Sequence, residues 1–476
     1  MVSLQVTKKN SIHFILTIFF CFFFRFLPPF GQMTEYGMGI LGAFLGAIYG
    51  WSFLGMIWPS FMALSGVGLV IGMDKMLAAA FGNYTVMGML FMFLMTAVMD
   101  EVGAMDMLVN KILGAKFMYG KPWILLCVIY FAAFIGGMFN SMVMTIVFIQ
   151  LFISIFQKVG IVPYSKLATT MLIGVPIAMM MAQIAFPFTG QGLSLTSTYT
   201  MMFQQQMNYA SYMLFIIPMG LFILFFYINV IMRFVFRVDV SPLKNVDASM
   251  LGDGAKANRD QIVSLVFFAV FMCIMLIASL SFFGPLQQFL AQFGMFGVVA
   301  IIVGIMMMIK REDGTPLLNF YKAAAKIGWD PVLLLAFIMV MAYYMNDPST
   351  GITATMMSWL TPFTKLSPMI FIVVALLFAA IITNIANNLI TVVMIMPVLG
   401  QFALQAGMDT TYIMAILFMC AHFALATPAA NPSTGIVFSY TNWVKAGSLS
   451  KYGIITVIIL FIVEIVIGIP FANLVF

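Results

Sequence analysis

The sequence predicts an all-α polytopic membrane protein, with about eleven transmembrane helices in two inverted-topology repeats, each repeat holding a re-entrant hairpin and a broken helix. Three observations predict it. The 476 residues are 63% hydrophobic and only 8% charged, with a mean hydropathy of +1.11, where a soluble domain carries roughly 25% charged residues. Roughly eleven stretches reach the ~20 apolar residues that a spanning helix needs. Finally, each half of the chain combines a short polar-tipped segment with an interrupted one, the pattern of transporters built from internal repeats.

Residues 1–10 are a polar leader with Lys8 and Lys9, and the apolar run Ile12–Phe24 reads as a retained first helix. Small residues suited to a cleavage site do not follow it; Arg25-Phe-Leu-Pro-Pro does. Residues 1–36 therefore form an N-terminal helix and leading segment with a cytoplasmic N-terminus. A first repeat spans 37–232, with spans near 38–57, 58–72, 84–110 and 121–138. It contains two charge-free stretches, Pro122–Gln157 and Leu167–Met232. In the first, the break at Ile135-Gly-Gly-Met-Phe-Asn-Ser141 leaves Met142–Phe156 too short for a full span, which predicts a hairpin near 125–157. In the second, Ala182-Gln-Ile-Ala-Phe-Pro-Phe-Thr-Gly-Gln-Gly192 predicts a broken helix near 167–207.

Residues 233–260 carry five basic and four acidic side chains and read as a cytoplasmic linker. The second repeat, 261–476, has spans near 261–282, 286–309, 328–345 and 450–475, a hairpin near 366–404 and a broken helix near 410–440. Asn140-Ser141 with Thr145 corresponds to Asn387-Asn388 with Thr391, and Pro187 to Pro428, at offsets of 247 and 241.

The chemistry concentrates in two polar islands. From Leu366 to Val444 the only charged side chain is Asp409 and the only imidazole His422, yet Thr383, Asn384, Asn387 and Asn388 crowd into six positions and Thr427-Pro428-Ala-Ala-Asn431 follows. In hydrocarbon such groups must be satisfied by protein, water, ion or solute. One Asn is ordinary interhelical glue; a cluster in two successive helix breaks points to a midplane binding site. Other candidates are weaker. Cys21, Cys127, Cys273 and Cys420 lie in apolar runs without metal-ligand spacing, and two histidines make a histidine metal site improbable. The net charge of +6 fits positive-inside loops rather than nucleic acid. Asp100-Glu101 and Asp106 read as a solvated helix end. Glu464 reads as a structural carboxyl paired with a polar neighbour, with proton coupling as the alternative. His422 reads as a structural histidine near the break, and Gln191 as the one glutamine inside the first break.

Thr383-Asn-Ile-Ala-Asn-Asn-Leu-Ile-Thr-Val-Val-Met-Ile-Met-Pro397, followed by Ala426-Thr-Pro-Ala-Ala-Asn431, resembles the second half-site of the divalent anion/sodium symporter family of the ion transporter superfamily. The family signature is Ser-Asn-Thr at each hairpin tip, nine residues before a proline. Asn388 stands nine before Pro397, so Asn387-Asn388-Leu389 falls on one tripeptide and Asn140-Ser141-Met142 on the other, with Gln150 at the proline position. The likeness extends to Arg25–Pro29 and to Trp443-Val-Lys-Ala-Gly447. Met142, Leu389 and Phe186 depart from it by removing hydroxyls.

The resemblance implies a homodimer whose transport domain moves as an elevator against a fixed scaffold. It implies sodium sites drawn from Gly136, Asn140, Ser141 and Ala185 on one side and Thr383, Asn387, Asn388, Ala426 and Asn431 on the other. Asn140, Ser141, Thr189, Asn387, Asn388, Thr427 and Pro428 would line a shared site for a small anion. A core without Lys or Arg can hold an anion because helix N-termini supply free N–H groups and partial positive charge, and bound Na+ adds more. The expected function is sodium-coupled symport of a di- or tricarboxylate or sulfate, with a sodium-independent exchanger or a carrier of a less charged solute as the alternative. An intramembrane enzyme would need a converging nucleophile and base or a metal cluster, which the apolar segments do not supply. No organic cofactor is expected.

Overall fold

The computed structural model describes residues 10–82, 84–188, 190–246, 257–345, 347–360, 367–385 and 387–476. Among these the chain is helical, with one isolated β-bridge, Lys310 to Pro316. Among the described residues eight helices are long and apolar enough to cross a membrane, or nine if the bent pair Met73–Ala80 and Thr85–Glu101 counts as one span. Five further apolar helices are shorter, among them the hairpin arm Pro368–Ile382, which turns back, and Thr410–Ala421, which stops at a break.

The helices in chain order begin with α1 (Ser11–Phe26), α2 (Glu35–Leu54), α3 (Ile57–Ile71), α4 (Met73–Ala80) and α5 (Tyr84–Glu101). Thr34 starts α2 by accepting from the Gly37 N–H, and Gly55, at φ 85°, ends it. A corner at Gly103, in the left-handed region at φ 66°, turns α5 into α6 (Ala104–Leu113). Glycine alone takes that conformation without cost.

Next comes α7 (Pro122–Val159), which is a hairpin. Its backbone leaves helical geometry only at Asn140 (φ −143°, ψ 85°). The rings of Tyr130 and Phe152 stand 5.5 Å apart, where a straight helix would separate them by roughly 33 Å. The expected seven-residue break is thus a single residue. Gly136 and Gly137 stay helical because they allow close packing: a Cβ on Gly136 would meet Met144 at 3.0 Å and Val109 at 3.1 Å, and one on Gly137 would meet Met179 at 2.8 Å.

The first broken helix is α8 (Lys166–Gln183), capped by Ser165, followed by α9 (Gly190–Phe203). Then α10 (Tyr209–Val235) returns alongside α8, fixed by Tyr212 donating to the Ile184 carbonyl (2.7 Å) and Tyr227 to that of Thr170 (2.7 Å). The connection after it lies beside the start of α8, since Lys166 Nζ donates to the Phe236 carbonyl at 2.9 Å.

A reciprocal Asn258–Gln261 capping box opens α11 (Arg259–Ser279). It leads into α12 (Pro285–Met308), α13 (Phe320–Ala324), α14 (Trp329–Met345) and α15 (Ile352–Leu360). The second hairpin pairs α16 (Pro368–Ile382) with α17 (Asn388–Gln405); Phe371 and Phe402 stack across its arms at 3.7 Å. The second broken helix is α18 (Thr410–Ala421), capped by Asp409, and α19 (Pro432–Ser439), capped by Asn431. The chain closes with α20 (Ala446–Val475).

The hairpins enter from opposite faces. The open end of α7 lies on the face of residues 236–246, where it packs against the turn Ser241–Asn245. α18 begins against the far end of α9, where Tyr199 and Thr410 hydroxyls meet at 2.8 Å, so α16 and α17 open on the other face. Glu464 sits in a π-helical turn of α20, fully buried, and neither carboxyl oxygen has a hydrogen-bond partner among the described residues. The expected polar neighbour is absent there; the π turn aims the carboxyl at its own helix, where a Cβ on Gly468 would lie 2.6 Å from it.

Candidate ion and substrate site

The second hairpin tip is built around Asn384. Its Nδ2 donates to the carbonyls of Ala380 (2.7 Å) and Phe423 (2.8 Å), and its Oδ1 accepts from the N–H groups of Leu425 (2.9 Å) and Ala426 (2.7 Å). Thr427 Oγ1 donates to the Asn384 carbonyl at 2.6 Å, and Thr383 Oγ1 to that of Ala421. Three backbone groups between α18 and α19, the Phe423 carbonyl and the Leu425 and Ala426 N–H groups, are thereby satisfied by one amide side chain. Asn387 caps α17 by accepting from Leu389 N–H (2.9 Å). Asn388 is buried, and its Nδ2 donates to Gln191 Oε1 at 3.1 Å.

The first tip is more open. Asn140 Nδ2 donates to Asp100 Oδ2 (2.8 Å) while its Oδ1 accepts from the Val143 N–H (3.2 Å). Gln183 Nε2 donates to Ser141 Oγ at 2.6 Å, and Gln183 Oε1 is buried without a partner among the described residues. Ala185 lies in the first break, its N–H donating to the Ala182 carbonyl (3.1 Å). Gly192 admits no side chain, because its Cβ would sit 2.1 Å from the Phe186 carbonyl. The Phe186 ring joins Phe139, Phe188 and Phe268 in an apolar cluster.

Cross-links join the two halves. Thr145, one turn into the second arm of α7, shares a hydroxyl–hydroxyl bond with Ser433 in the first turn of α19 at 2.9 Å. Asn388 at the start of α17 reaches Gln191 at the start of α9. Each hairpin thus bonds to the break of its own repeat and to the second half of the other repeat's broken helix. Four helix N-termini meet in two pairs, each end carrying free N–H groups and partial positive charge.

His422 completes the second pair. Its Nδ1–H donates to the Phe418 carbonyl (2.6 Å), and its Nε2 lies 2.8 Å from Gln191 Oε1. A neutral ring donating from Nδ1 presents a lone pair at Nε2. Gln191 therefore meets a neutral ring through the amide NH2 at the expense of its bond to Asn388, or meets a charged ring through the amide oxygen that also accepts from Asn388.

Most of the residues singled out from sequence are accounted for. Thr383, Asn387, Asn388, Ala426, Thr427, Pro428 and Asn431 share the second tip and its break, where Asn431 Oδ1 caps α19 (Ser433 N–H, 2.9 Å) and its buried Nδ2 has no partner. Asn140 and Ser141 share the first tip, with Gly136 one turn before it. Thr189 lies outside the described residues. Asn384 belonged to the polar cluster read from the sequence and Thr145 to the repeat correspondence, but neither was assigned a role in the site, nor were Gln191, His422, Gln183 and Ser433. Gln183 and Ser433 signal only through contacts distant in sequence. Asp100 and Glu101 are also more than a solvated helix end: Asp100 holds Asn140, and Glu101 pairs with Arg311 (3.0 Å) and Lys326 (3.8 Å). Among the described residues no three His, Cys, Asp or Glu side chains gather as a metal site would require.

Residues 43–291, more than half of the chain, match the family described as citrate transporter. The chain belongs to this family. Its curated relatives include solute carrier family 13 member 1 of Homo sapiens, 27% identical over 140 residues (28% of this chain, 23% of that protein), and the Na(+)/citrate cotransporter of Rattus norvegicus, 27% identical over 140 residues (29% and 24%). The sodium-dependent dicarboxylate transporter SdcS of Staphylococcus saprophyticus is 21% identical over 300 residues (58% and 55%). The chain spans about a quarter of the length of the first two relatives and about half that of the third. The crystal structure of the YdaH transporter of Alcanivorax borkumensis superposes with a TM-score of 0.54 at 14% identity, covering 86% of this chain and 88% of that one, which shows a shared fold. The protein is a multi-pass membrane protein of a transporter family.

Proposed function

We propose that this protein is a secondary active transporter that couples Na+ to the movement of a small anion, a di- or tricarboxylate or sulfate. The observation that carries the reading is the pairwise meeting of four helix N-termini, Asn388 with Gln191 and Thr145 with Ser433. Free N–H groups attract an anion, while Asn, Thr and backbone oxygens at the tips are hard ligands suited to sodium. Bound Na+ supplies the positive charge that the site lacks in side chains, so anion affinity depends on sodium loading. The names of the relatives, sodium cotransporters of citrate and dicarboxylate, support this substrate class.

In this reading sodium sits between each tip and its break, at Gly136, Asn140, Ser141 and Ala185, and at Thr383, Asn387, Asn388, Ala426 and Asn431. The anion lies between them, facing Asn140, Ser141, Thr189, Asn387, Asn388, Thr427 and Pro428. Repeats 37–232 and 261–476 flank a cytoplasmic linker at 233–260, and the N-terminus is cytoplasmic. The hairpins and broken helices travel as one body against the remaining helices of a homodimer, an elevator.

One observation favours a second reading, an exchanger or a carrier of a less charged solute: Met142, Leu389 and Phe186 put apolar groups where hydroxyls would hold a carboxylate. Uptake into proteoliposomes separates the two. A labelled panel of succinate, citrate, sulfate and one neutral amino acid is offered with and without an inward sodium gradient, with Asn388→Ala as control. Anion uptake that needs the gradient and is lost in the variant is expected. Uptake indifferent to sodium but driven by preloaded anion would replace symport with exchange.

A further inference from the structure

We propose that Asp100 is a positioning residue for transport: its carboxylate holds the first hairpin tip on the linker-side face while the carrier is empty, and releases it when a cation loads. The inference rests on the reading above for the identity of the cation and for the motion of the hairpins against the frame.

The end of α5 is anchored to helices outside the hairpins. Glu101 bonds Arg311, just beyond α12, and Lys326, just beyond α13. Arg311 is itself held by donating to the Leu317 carbonyl at 2.9 Å. Gln261 of α11 donates to the Gly103 carbonyl at 3.3 Å, fixing the corner before α6. Asp100 therefore projects from a braced frame, whereas Asn140 is the one non-helical residue of a hairpin tip. Their 2.8 Å hydrogen bond bridges two bodies that an elevator must separate.

The electrostatics identify the trigger. Glu101 has two cationic partners; Asp100 makes no ion pair among the described residues, and its carboxylate is exposed. It is the one charged side chain seen bonded to either tip. The same tip carries further hard oxygen acceptors, Ser141 Oγ and Gln183 Oε1, the latter buried and without a partner among the described residues. A cation arriving at this tip is drawn to the carboxylate and competes with Asn140 Nδ2 for it. Loading weakens the charge-assisted bond that holds the tip. The tip is also uncovered by protein in this conformation, with Met142 54% and Val143 48% exposed. Asp100 thus stabilises the state in which the first tip is open to the linker face.

The test is labelling of a single cysteine, Met142→Cys, by a membrane-impermeant maleimide applied to the linker face, with Cys21, Cys127, Cys273 and Cys420 replaced by alanine. In sodium-free buffer the parent labels fast, and added Na+ slows it. Asp100→Ala slows labelling about three- to tenfold without sodium, the population shift expected when a hydrogen bond to a charged group is lost. Asp100→Asn, which still offers an oxygen to Asn140 but no charge, labels fast and no longer responds to Na+. Equal labelling of parent and Asp100→Ala overturns the latch; an unchanged sodium response in Asp100→Asn overturns the trigger. If the wild type shows no sodium-driven uptake, the functional reading fails, while the sodium-free comparison still decides the latch. Elution of each variant as a single peak on size exclusion separates a positioning effect from misfolding.

Discussion

Asn384 and Asn140 occupy comparable places, each at a hairpin tip beside the break of its own repeat, yet they are used in different ways. Asn384 is 8% exposed, makes four side-chain hydrogen bonds and offers its carbonyl to Thr427. Asn140 is partly exposed, and its two bonds go to a charged residue on another helix and to its own tip. Asn384 is buried and fully bonded, a structural joint. Asn140 reaches the frame through a more exposed bond that solvent or an ion can compete for. Within one repeat pattern, burial has made one half-site rigid and left the other adjustable.

The comparison breaks most visibly at these two residues. Asn384→Ala strands the Leu425 and Ala426 N–H groups and the Phe423 carbonyl in a buried place, at about 1–3 kcal/mol for each unpaired group. It should abolish recovery of folded protein. Asn140→Ala should cost only about 1 kcal/mol and purify normally, yet lose sodium-driven uptake. Thermal melting in detergent beside uptake in proteoliposomes checks both. Equal destabilisation would mean that the first tip is a structural joint too.

Gly192 and Gly435 sharpen the contrast at the breaks. A Cβ at Gly192 would lie 2.1 Å from the Phe186 carbonyl, and one at Gly435 2.8 Å from the Pro428 carbonyl. Both contacts are with backbone, which yields poorly. Gly192→Ala should cost about 3 kcal/mol and Gly435→Ala about 1–2 kcal/mol, read as a larger loss of melting temperature in the first. The reverse order would show that the second break is the less forgiving one, in line with its denser bonding.

Gln191→Leu removes the amide that Asn388 and His422 share. It should cost about 2 kcal/mol and reduce uptake at least about tenfold, with His422→Gln recovering part of the stability through a neutral partner for the Phe418 carbonyl. Uptake at the wild-type level would place the solute away from this pair of helix ends.

Much of this architecture is legible because hydrocarbon leaves few choices. A charge-free polar cluster such as Thr383 to Asn388 must find partners inside the protein, so its place at a helix break followed from composition alone. The hairpins were legible as segments too short to cross. The extent of the first break was not: Gly136 and Gly137 look like helix breakers, but packing against Met144, Val109 and Met179 uses their missing side chains and keeps them helical. The roles of Asp100, Gln183, Thr145 and Ser433 were hidden for another reason. Each is an ordinary polar residue until the fold brings it to a partner dozens or hundreds of positions away, and local pattern carries no trace of that.

The smallest effect tests the link between the halves. Thr145 and Ser433 share a single buried hydroxyl–hydroxyl bond at 2.9 Å, and Thr145 also donates to the Ser141 carbonyl at 2.6 Å. Ser433→Ala removes the cross-bond and leaves Thr145 a partner, so it should cost only about 1 kcal/mol and leave the fold intact. If the pair of N-termini at α7 and α19 helps to hold the anion, the half-saturating substrate concentration should rise about two- to fivefold while maximal uptake stays within about twofold, the signature of lost ground-state binding. A fall in maximal uptake at constant affinity would instead assign the Thr145–Ser433 bond to the motion, tying hairpin to broken helix as they move together.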